Sequence, residues 1–361
     1  MVNRLRHKDK PAFRKKLLYI CANDGTDTRI AKELKTLSTR YHIHFFGIGE
    51  TIGPACQFYC KHVTLVSGTH RSLWTLMKFG IKLGLWLVAN RNITVHVVDE
   101  QFYCVFLPLL FKRHVVLDVF DSYFLKLNKP KEDLWLLKKV VYGLPVAIIV
   151  TDENRRKLLP DWVTKKSFVI PNVPFRMHFS SQKPNKPHHL TLCYFGTLTR
   201  HRGSEFVHQL VCSSSAVEVH CAGWVKDEFT EKLISHPRVH FHGVITQTDA
   251  NRMLHNIGDY LVAIYPDDNL NNINASPNKL YDAMHAQKPL IINNSCRVAA
   301  FVADHNLGVV VDLNRIENFR RFAAELLSRR DEFNVDQSLL EEYCWEHFEQ
   351  SLINLHSQLL G

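Results

Sequence analysis

The stretch Asn274–Ile292, NASPNKLYDAMHAQKPLII, predicts a short helix followed directly by a buried strand. Ser276 has the side chain of a helix N-cap, and Pro277 suits the first helical position. Three apolar residues share one face of the predicted helix: Leu280, Ala283 and Met284. The helix should end near Pro289, after which PLII continues as a strand. One segment therefore carries the helix and the strand of an α/β repeat.

The start of this helix is also a candidate binding site. Unpaired backbone N–H groups and the positive end of the helix dipole can hold a phosphate where a helix begins beside a cleft. The alternative is a capped surface helix before an ordinary strand, and periodicity alone leaves both interpretations open.

Outward from this stretch, short apolar runs alternate with amphipathic segments of helical length. Before residue 171 the runs include KLLYICAN, HIHFFGIG, ITVHVVD, HVVLDVF and VAIIVT. After residue 190 they include LTLCYFGTL, VEVHCAG, RVHFHGV, YLVAIYP and LGVVVDL. Such alternation predicts parallel sheets covered by helices, which bind ligands outside the carboxyl ends of their strands.

The stretch Pro171–Leu190 contains four prolines and little apolar periodicity, which is typical of a linker. We therefore predict an α/β chain of two doubly wound Rossmann-like domains that face a central cleft. The expected ranges are 1–175 for an acceptor-side domain, 176–190 for the linker, 191–335 for a donor-binding domain, and 336–361 for a helical segment that packs back on the first domain.

Composition narrows the partners without selecting one. The chain has 361 residues, 46% of them hydrophobic, and 45 Lys+Arg against 35 Asp+Glu, for a formal net charge of +10. Such a charge favours an anionic partner: a phosphate-bearing substrate, a membrane surface or nucleic acid. The nine cysteines include no C-x-x-C pair, which favours reduced thiols over disulfides or a zinc site. We expect neither a signal peptide nor a membrane span.

The sequence SPNKLYDAMHAQKPLI resembles the donor motif of retaining nucleotide-sugar glycosyltransferases of family 4, in the subgroup with an S-P-N-K-L-Y-E-Y-M-A-A-G-K-P pattern. Four further segments resemble that family in the same order along the chain: VVLDVFDSY, VIPNVP, YFGTLTRHRG and the pair VHFHGVI and DYLVAIYP. The resemblance implies the two-domain GT-B fold and metal-independent transfer of a hexosyl group, with no cofactor beyond the nucleotide-diphosphate sugar donor. It also implies a glycan or lipid-linked acceptor, surface-polysaccharide synthesis, and a cytoplasmic location.

On the donor side, the family has two glutamates eight positions apart, and Asn274 and Asp282 stand at the corresponding positions. Arg200 and Arg202 match the region where the family supplies basic residues to the donor diphosphate, and a guanidinium there stabilises the charge of the departing group. The donor-binding residues that the resemblance implies are Gly196, Arg200, Arg202, Asn274, Ser276, Asn278, Lys279, Leu280 and Asp282.

On the acceptor side, VVLDVFDSY resembles a D-x-H-D pattern in which Phe120 replaces the histidine. Asp121 would orient acceptor or sugar hydroxyls and, with Arg202, would be the catalytic residue. The alternative is that these acids only cap the end of a strand. The turn CANDGTDTR resembles family members without a double-glycine loop. The acceptor-side residues implied are Asp24, Gly25, Arg29 and Asp118.

The segment RSLWTLMKFGIKLGLWLVANR offers a possible membrane contact. Arg71, Thr75, Lys78 and Lys82 recur at helical spacing in an otherwise apolar segment. Such a helix can lie in an anionic membrane interface on the inner face of the cytoplasmic membrane. A core helix with one solvated face is the alternative.

Other readings stay open from sequence. The same fold could serve a nucleotide-sugar epimerase or hydrolase, or a non-catalytic binding subunit in which Asn274 and Phe120 record lost chemistry. A nucleic-acid binder is disfavoured, because the basic residues follow no recognition motif. The pairs HIH (42–44) and HFH (240–242) each place two histidines on one strand face without a clear third metal ligand, so no metal is expected.

Overall fold

The computed structural model describes residues 14–177, 179 and 189–358. Most of the predicted linker 176–190 lies outside the described residues. So do residues 1–13, where a signal peptide would lie. The chain forms two compact units. One contains the described residues up to Asp118, Val140–Ile148 and those from Ser351 onward, and the other contains Val119–Lys139 and Ile149–Gln350.

The first sheet has seven strands in the order β3-β2-β1-β4-β5-β6-β7. The strands are β1 (Lys15–Ile20), β2 (Tyr41–Ile48), β3 (His62–Val66), β4 (Thr94–Val98), β5 (His114–Val119), β6 (Ala147–Val150) and β7 (Ser167–Val169). Pairing is parallel from β3 through β5. The order reverses direction between β1 and β4, which is the position where doubly wound sheets bind ligands.

The helices of this half are α1 (Thr28–Ser38), α2 (Pro54–Tyr59), α3 (Leu73–Ala89), α4 (Glu100–Leu110), α5 (Tyr123–Lys126), α6 (Trp135–Gly143), α7 (Glu153–Arg156) and α8 (Asp161–Thr164). Helix α1 shows why such segments form: the Asp27 carboxylate accepts from the N–H groups of Arg29 and Ile30 and caps the helix. Its buried face then covers the sheet.

The second sheet has six parallel strands in the order β10-β9-β8-β11-β12-β13. They are β8 (Leu190–Leu198), β9 (Val217–Val225), β10 (Val239–Phe241), β11 (Tyr260–Ala263), β12 (Leu290–Asn293) and β13 (Gly308–Val311). The order reverses between β8 and β11, so the loops after these two strands meet at the switch point.

The remaining helices are α9 (Ser204–Ser213), α10 (Glu228–Ile234), α11 (Gln247–Ile257), α12 (Leu270–Ile273), α13 (Asn278–His285), α14 (Ala299–Asp304), α15 (Phe319–Arg329), α16 (Gln337–Glu342) and α17 (Trp345–Gln358). Short 3₁₀ turns occupy Arg200–Arg202 and Leu313–Arg315. The core of this sheet combines strand residues with apolar residues of α9 and α15.

The predicted fold class, with two doubly wound Rossmann-like sheets, is confirmed. The strands of the first sheet all precede the predicted linker, and those of the second sheet begin at its last residue, Leu190. The domain bounds themselves stay a prediction. All nine cysteines are free thiols. None of the helices in the described ranges is both long enough and apolar enough to cross a membrane.

Candidate active site

The candidate donor site lies at the switch point of the second sheet, where backbone and side chains converge. Gly196, near the end of β8, has φ +102, and it pairs in register with Gly223 of β9. A Cβ on Gly223 would lie 1.8 Å from the Gly196 carbonyl oxygen, so only glycine permits this close approach. A Cβ on Gly196 would instead point toward Lys279, whose Cε would be 3.9 Å away. The end of β8 therefore presents bare backbone next to a lysine.

Two cations stand together beside this turn. The Arg202 guanidinium lies over the Tyr265 ring, 5.1 Å from its centroid, and the Lys279 ammonium lies 5.0 Å from the centroid of the Tyr194 ring. The Lys279 ammonium donates to the Val262 carbonyl at 3.1 Å. Burial, and then the charge of Arg202, lowers the pKa of Lys279 to about 7.

Within the described ranges, neither Arg202 nor Lys279 forms a salt bridge, although each lies close enough to the other to feel its charge. Like charges held together in a partly desolvated place cost free energy unless an anion joins them. This pair is therefore a candidate anion site, and a diphosphate is an anion of suitable charge.

Arg200 is differently engaged. Its guanidinium donates to both carboxylate oxygens of Glu205, at 2.9 and 3.3 Å, and its backbone N–H donates to Asp227. The Arg200 side chain is half exposed and lies over the ring of Phe229. Of the two arginines in TRHRG, Arg202 is thus the better candidate for a ligand.

The helix that follows Ser276 begins later than predicted. Helix α13 starts at Asn278 with Pro277 in the N-cap position, and no side chain caps it. The Ser276 hydroxyl lies 3.2 Å from the Tyr281 hydroxyl and hydrogen-bonds Asp152. The prediction that Ser276 caps the helix is wrong, because tertiary partners hold its hydroxyl away from the first turn.

Asp282 and Leu280 lie on the buried side of α13. Leu280 is 1% exposed and belongs to the core, so it can contribute to a donor site only through its backbone. One Asp282 carboxylate oxygen accepts from the amide groups of Gln247 and Asn251, both at 2.8 Å. Helix α11 therefore orients Asp282, the acid that stands at the position of the second family glutamate.

Asn274 ends the short helix α12. Its side-chain amide donates to the Leu270 carbonyl at 2.8 Å, and its own carbonyl accepts from Arg155 at 3.1 Å. With 6% exposure, the residue supports the loop conformation at this point. Its place in the donor site stays a prediction.

Arg155 joins three segments, although the sequence did not single it out. The side chain is 7% exposed and uses its whole fork of N–H groups. The acceptors are the carbonyls of Phe120, Asn271 and Asn274, the Thr151 hydroxyl and the Asp121 carboxylate. A buried guanidinium with every donor satisfied is a strong positioning element.

Asp121 is the acid of this cluster. Its carboxylate accepts from Arg155 at 3.3 Å and Asn271 at 3.2 Å, and it lies 3.2 Å from the Lys126 ammonium. Burial alone would raise the pKa of Asp121, but Arg155 and Lys126 outweigh it and lower that pKa. A carboxylate with a lowered pKa is a weak base and a persistent negative charge. Asp121 is therefore suited to orient hydroxyls, and its charge reaches Tyr265 beside Arg202.

In the other compact unit, two expected acceptor-side residues are buried. Arg29 and Asp118 are both 0% exposed. The Arg29 guanidinium donates to both oxygens of Asp118, at 3.0 and 3.2 Å, and lies 2.9 Å from a Glu33 oxygen. The Tyr19 hydroxyl donates to Glu33 at 2.6 Å. This places Arg29 and Asp118 in an internal ion-pair network, where they cannot contact an acceptor in this conformation.

The network extends to a pair of histidines. His356 Nδ1 lies 2.9 Å from the Leu352 carbonyl, so this nitrogen carries a proton, and His356 Nε2 then accepts from His96 Nδ1 at 3.1 Å. His96 Nε2 lies 3.3 Å from a Glu33 oxygen and 3.7 Å from an Asp118 oxygen. Because the proton of the neutral His96 ring is on Nδ1, the lone pair of Nε2 faces these carboxyl groups unless one of the three groups binds a further proton. Burial raises the pKa of Asp118 well above its usual value, against the opposing charge of Arg29.

Glu33, His96 and Asp118 also have the spacing of metal ligands. The Arg29 guanidinium already occupies the cationic position against both carboxylates, and a second cation there would meet its charge. We therefore interpret the cluster as an ion-pair network that joins β1, α1, β4 and β5.

Asp24 and Gly25 follow β1 at the switch point of the first sheet. The Asp24 carboxylate accepts from the backbone and hydroxyl of Thr26, and Gly25 has φ +84 with no room for a Cβ beside Cys56. A depression of about 440 Å³ opens here, and its lining includes Asp24, His70 and Arg71. This turn keeps its place as a candidate acceptor contact.

Helix α3 buries a narrow stripe and exposes the rest of its apolar surface. Thr75 is buried with Phe79, Leu83 and Leu87, so it does not share the solvated face of Lys78 and Lys82 as predicted. The exposed apolar residues are Leu73, Trp74, Met77, Ile81, Leu85 and Val88, each between 48% and 73% exposed. A core helix with one solvated face therefore stays open as the alternative, with large apolar side chains on that face.

The residues that sequence reasoning missed share one signal. Arg155 lies in the short helix α7, Asn271 lies in the short helix α12, and Tyr265 lies in a loop; all three are in segments that follow strand β6 or β11 at the carboxyl end of a sheet. Polar residues after strands are therefore the pattern that could have found them.

With this geometry in place, the fold can be compared with solved structures. HepE from Anabaena, in complex with UDP and glucose, is 11% identical, covers 95% of this chain and 100% of its own, and gives a TM-score of 0.69. Sucrose-phosphate synthase from Thermosynechococcus elongatus is 14% identical with a TM-score of 0.69, over 96% of this chain and 99% of its own. The lipopolysaccharide outer core galactosyltransferase WaaB is 12% identical with a TM-score of 0.63, over 95% and 99%.

Likeness at such low identity shows the fold, which these glycosyltransferase structures share with the chain over nearly its full length. No protein-family model matches the sequence, and no curated protein matches it.

Proposed function

We propose that the protein is a retaining glycosyltransferase, related to family 4, that transfers a hexosyl group from a nucleotide-diphosphate sugar. The observation that carries the proposal is the pair of basic side chains, Arg202 and Lys279, at the switch point of the second sheet. Neither of them forms a salt bridge with a carboxylate of the described residues. The UDP complexes of HepE, which has the same fold, support a nucleoside diphosphate as the anion.

The proposed chemistry follows from the placement of charge. When the sugar leaves the donor, negative charge develops on the diphosphate, and Arg202 and Lys279 stabilise that charge without requiring a metal ion. Asp282, oriented by α11, accepts hydrogen bonds from donor hydroxyls. Asp121 orients acceptor or sugar hydroxyls, and its low basicity leaves the acceptor proton to a donor phosphate oxygen.

The donor site can be tested with a matched pair of arginine variants. Wild-type protein is screened by thermal shift against UDP, GDP, ADP, CDP and their sugars, and one nucleoside diphosphate should stabilise it selectively. Arg202→Ala should abolish that shift, whereas Arg200→Ala should retain most of it because Arg200 is committed to Glu205. No stabilisation by any nucleotide, or equal losses in both variants, would refute the donor site.

We further propose that the acceptor is lipid-linked and that α3 docks on an anionic bilayer. The exposed apolar face of α3 is flanked by Lys78 and Lys82, and Arg71 at its start lines the depression next to Asp24. Aromatic and aliphatic side chains beside lysines gain at an anionic interface, and the net charge of +10 has the same sign. The enzyme would then work peripherally on the inner face of the cytoplasmic membrane, in surface-polysaccharide synthesis.

Flotation with vesicles of phosphatidylglycerol and phosphatidylcholine tests this surface. The double variant Lys78→Glu, Lys82→Glu should lose flotation, and the variant Lys226→Glu, Lys232→Glu makes the same charge change on exposed lysines elsewhere and should float normally. Equal behaviour of the two variants would contradict docking through α3. Incubation of the donor with membrane lipid extract, followed by mass spectrometry, separates transfer from hydrolysis or epimerisation.

A further inference from the structure

Three histidines meet on one face of the second sheet, on β9 and at the edge strand β10. His240 and His242 alternate along β10 and the residue after it, and His220 on β9 pairs in register with His240. The HFH motif that lacked a third ligand in the sequence thus has one across the strand pair. Because β10 is the edge strand, this histidine cluster lies at the margin of the sheet.

The spacing of the cluster approaches that of a metal site. His220 Nδ1 lies 2.9 Å from His242 Nε2, and the ring centroids of His220 lie 4.8 Å from His240 and 5.2 Å from His242. Two nitrogens bound to one tetrahedral zinc at about 2.0–2.1 Å lie roughly 3.4 Å apart, so a small opening of this pair admits an ion.

The third ring needs more movement. In this structure the His240 ring stacks on His220, and the three rings do not point their nitrogens at one position. Among the described residues, the ligand atoms of Glu33, His96 and Asp118 do lie close to one another. His240 is exposed, so rotation about its side-chain torsions meets little packing. His220 lies within β9, and the pairing of β9 with β10 fixes its position relative to His240.

We propose that His220, His240 and His242 bind a borderline transition-metal ion of the Zn²⁺ type, with water in an open fourth position. Neutral imidazoles are preferred ligands of such ions, and the pairing of β9 with β10 brings three of them next to one another. The ion would cross-link the three-residue edge strand β10 to β9 and so protect an edge with unpaired backbone groups.

The same pattern occurs once more, in a form that offers a control. On β2 and β3, His44 pairs in register with His62. There, however, the His44 Nε2 bonds to the Thr64 hydroxyl at 3.0 Å, and its ring packs against Trp86. His62 is exposed, so His62→Ala removes a comparable surface histidine without touching the proposed site.

The test titrates the full chain, without an affinity tag and after chelator treatment, with Co²⁺ by visible absorption and with Zn²⁺ by calorimetry. We expect one equivalent of metal and the strong absorption bands of four-coordinate Co²⁺. His220→Ala, His240→Ala and His242→Ala should each weaken binding by at least about tenfold, the loss that even an outer-shell partner of a ligand causes. His62→Ala should bind like the wild type.

A second readout follows the strand. Zn²⁺ should slow hydrogen exchange in Val239–Phe241 of the wild type but not of His242→Ala. Absence of binding, binding that survives His240→Ala unchanged, or a cobalt–thiolate charge-transfer band, which would place the ion at a cysteine such as exposed Cys212, would each overturn the three-histidine site. None of the three histidines is among the proposed donor or acceptor residues, so failure here leaves the proposed transferase function untouched.

Discussion

Raising the pH above 7 is expected to weaken nucleoside-diphosphate binding through a single side chain, Lys279. The pKa of Lys279 in the free protein is about 7, lowered by burial and by Arg202. A bound diphosphate would stabilise the charged ammonium and raise that pKa. Affinity is therefore fully present below pH 7 and is lost as the pH rises above the pKa of the free protein.

The magnitude follows from the fraction of Lys279 that is protonated. About 1% of the lysine remains charged at pH 9, against about 50% at pH 7, so the dissociation constant should rise by about 50-fold between these two pH values if the pKa of Lys279 in the complex stays well above 9. The terminal phosphate has a second pKa near 6, so the nucleotide keeps nearly the same charge across this range. Binding at pH 7 should also take up about 0.5 proton per nucleotide.

Calorimetry of nucleotide binding at several pH values, in buffers of different ionisation enthalpy, measures both quantities. Lys279→Arg is the matched control, because a guanidinium stays charged over the whole range and should give a nearly flat profile. A flat profile in the wild type, or the same slope in Lys279→Arg, would refute the assignment of a neutralised lysine to the diphosphate site.

The remaining predictions concern stability and positioning. Lys279→Met should raise the free energy of unfolding of the ligand-free protein by about 0.5–2 kcal/mol while losing nucleotide binding, since it removes a charge held for a ligand; urea denaturation checks this, and a destabilised variant would contradict it. Asp118→Ala should lower that free energy by about 1–3 kcal/mol, because it removes the buried carboxylate to which the Arg29 guanidinium donates, while Glu33 remains beside Arg29. An unchanged unfolding midpoint with a raised acceptor KM would instead indicate a substrate contact. In Arg155→Lys the positive charge is kept, but a lysine ammonium cannot donate to all the carbonyl groups that Arg155 contacts. We therefore expect kcat to fall at least about tenfold with a modest change in donor affinity. Equal losses in kcat and in donor binding would instead place Arg155 against the donor.

The particular elements show where local patterns were sufficient. Helix α1 carries its own cap at Asp27, and strand β9 alternates buried Val217, Val219 and Cys221 with partly exposed residues, so each forms where its periodicity predicts. The N-terminus of α13 is a case where local chemistry failed, because Tyr281 and Asp152 hold the Ser276 hydroxyl outside the first turn.

The candidate site divides in the same way. Arg202, Lys279 and Asp282 could be selected because they stand in segments that resemble the donor-binding motifs of a known family, TRHRG and SPNKLYDAM. Arg155 could not be selected in this way. Its side chain donates to the backbone carbonyls of residues 120, 271 and 274, and every residue type has a backbone carbonyl, so the sequence does not reveal these contacts.

By itself, the sequence determined the two doubly wound α/β sheets, the strand ends that bear the polar residues, and the basic residues after β8. Periodicity and turn residues are local properties, so they can be read without knowing what lies across the sheet. Only the tertiary structure decided which acids are buried with Arg29, which cations remain without a carboxylate, and that His220 faces His240. These three features depend on contacts between residues that are distant in sequence. The free energy of burying a charged side chain depends on such contacts more than on the residue type.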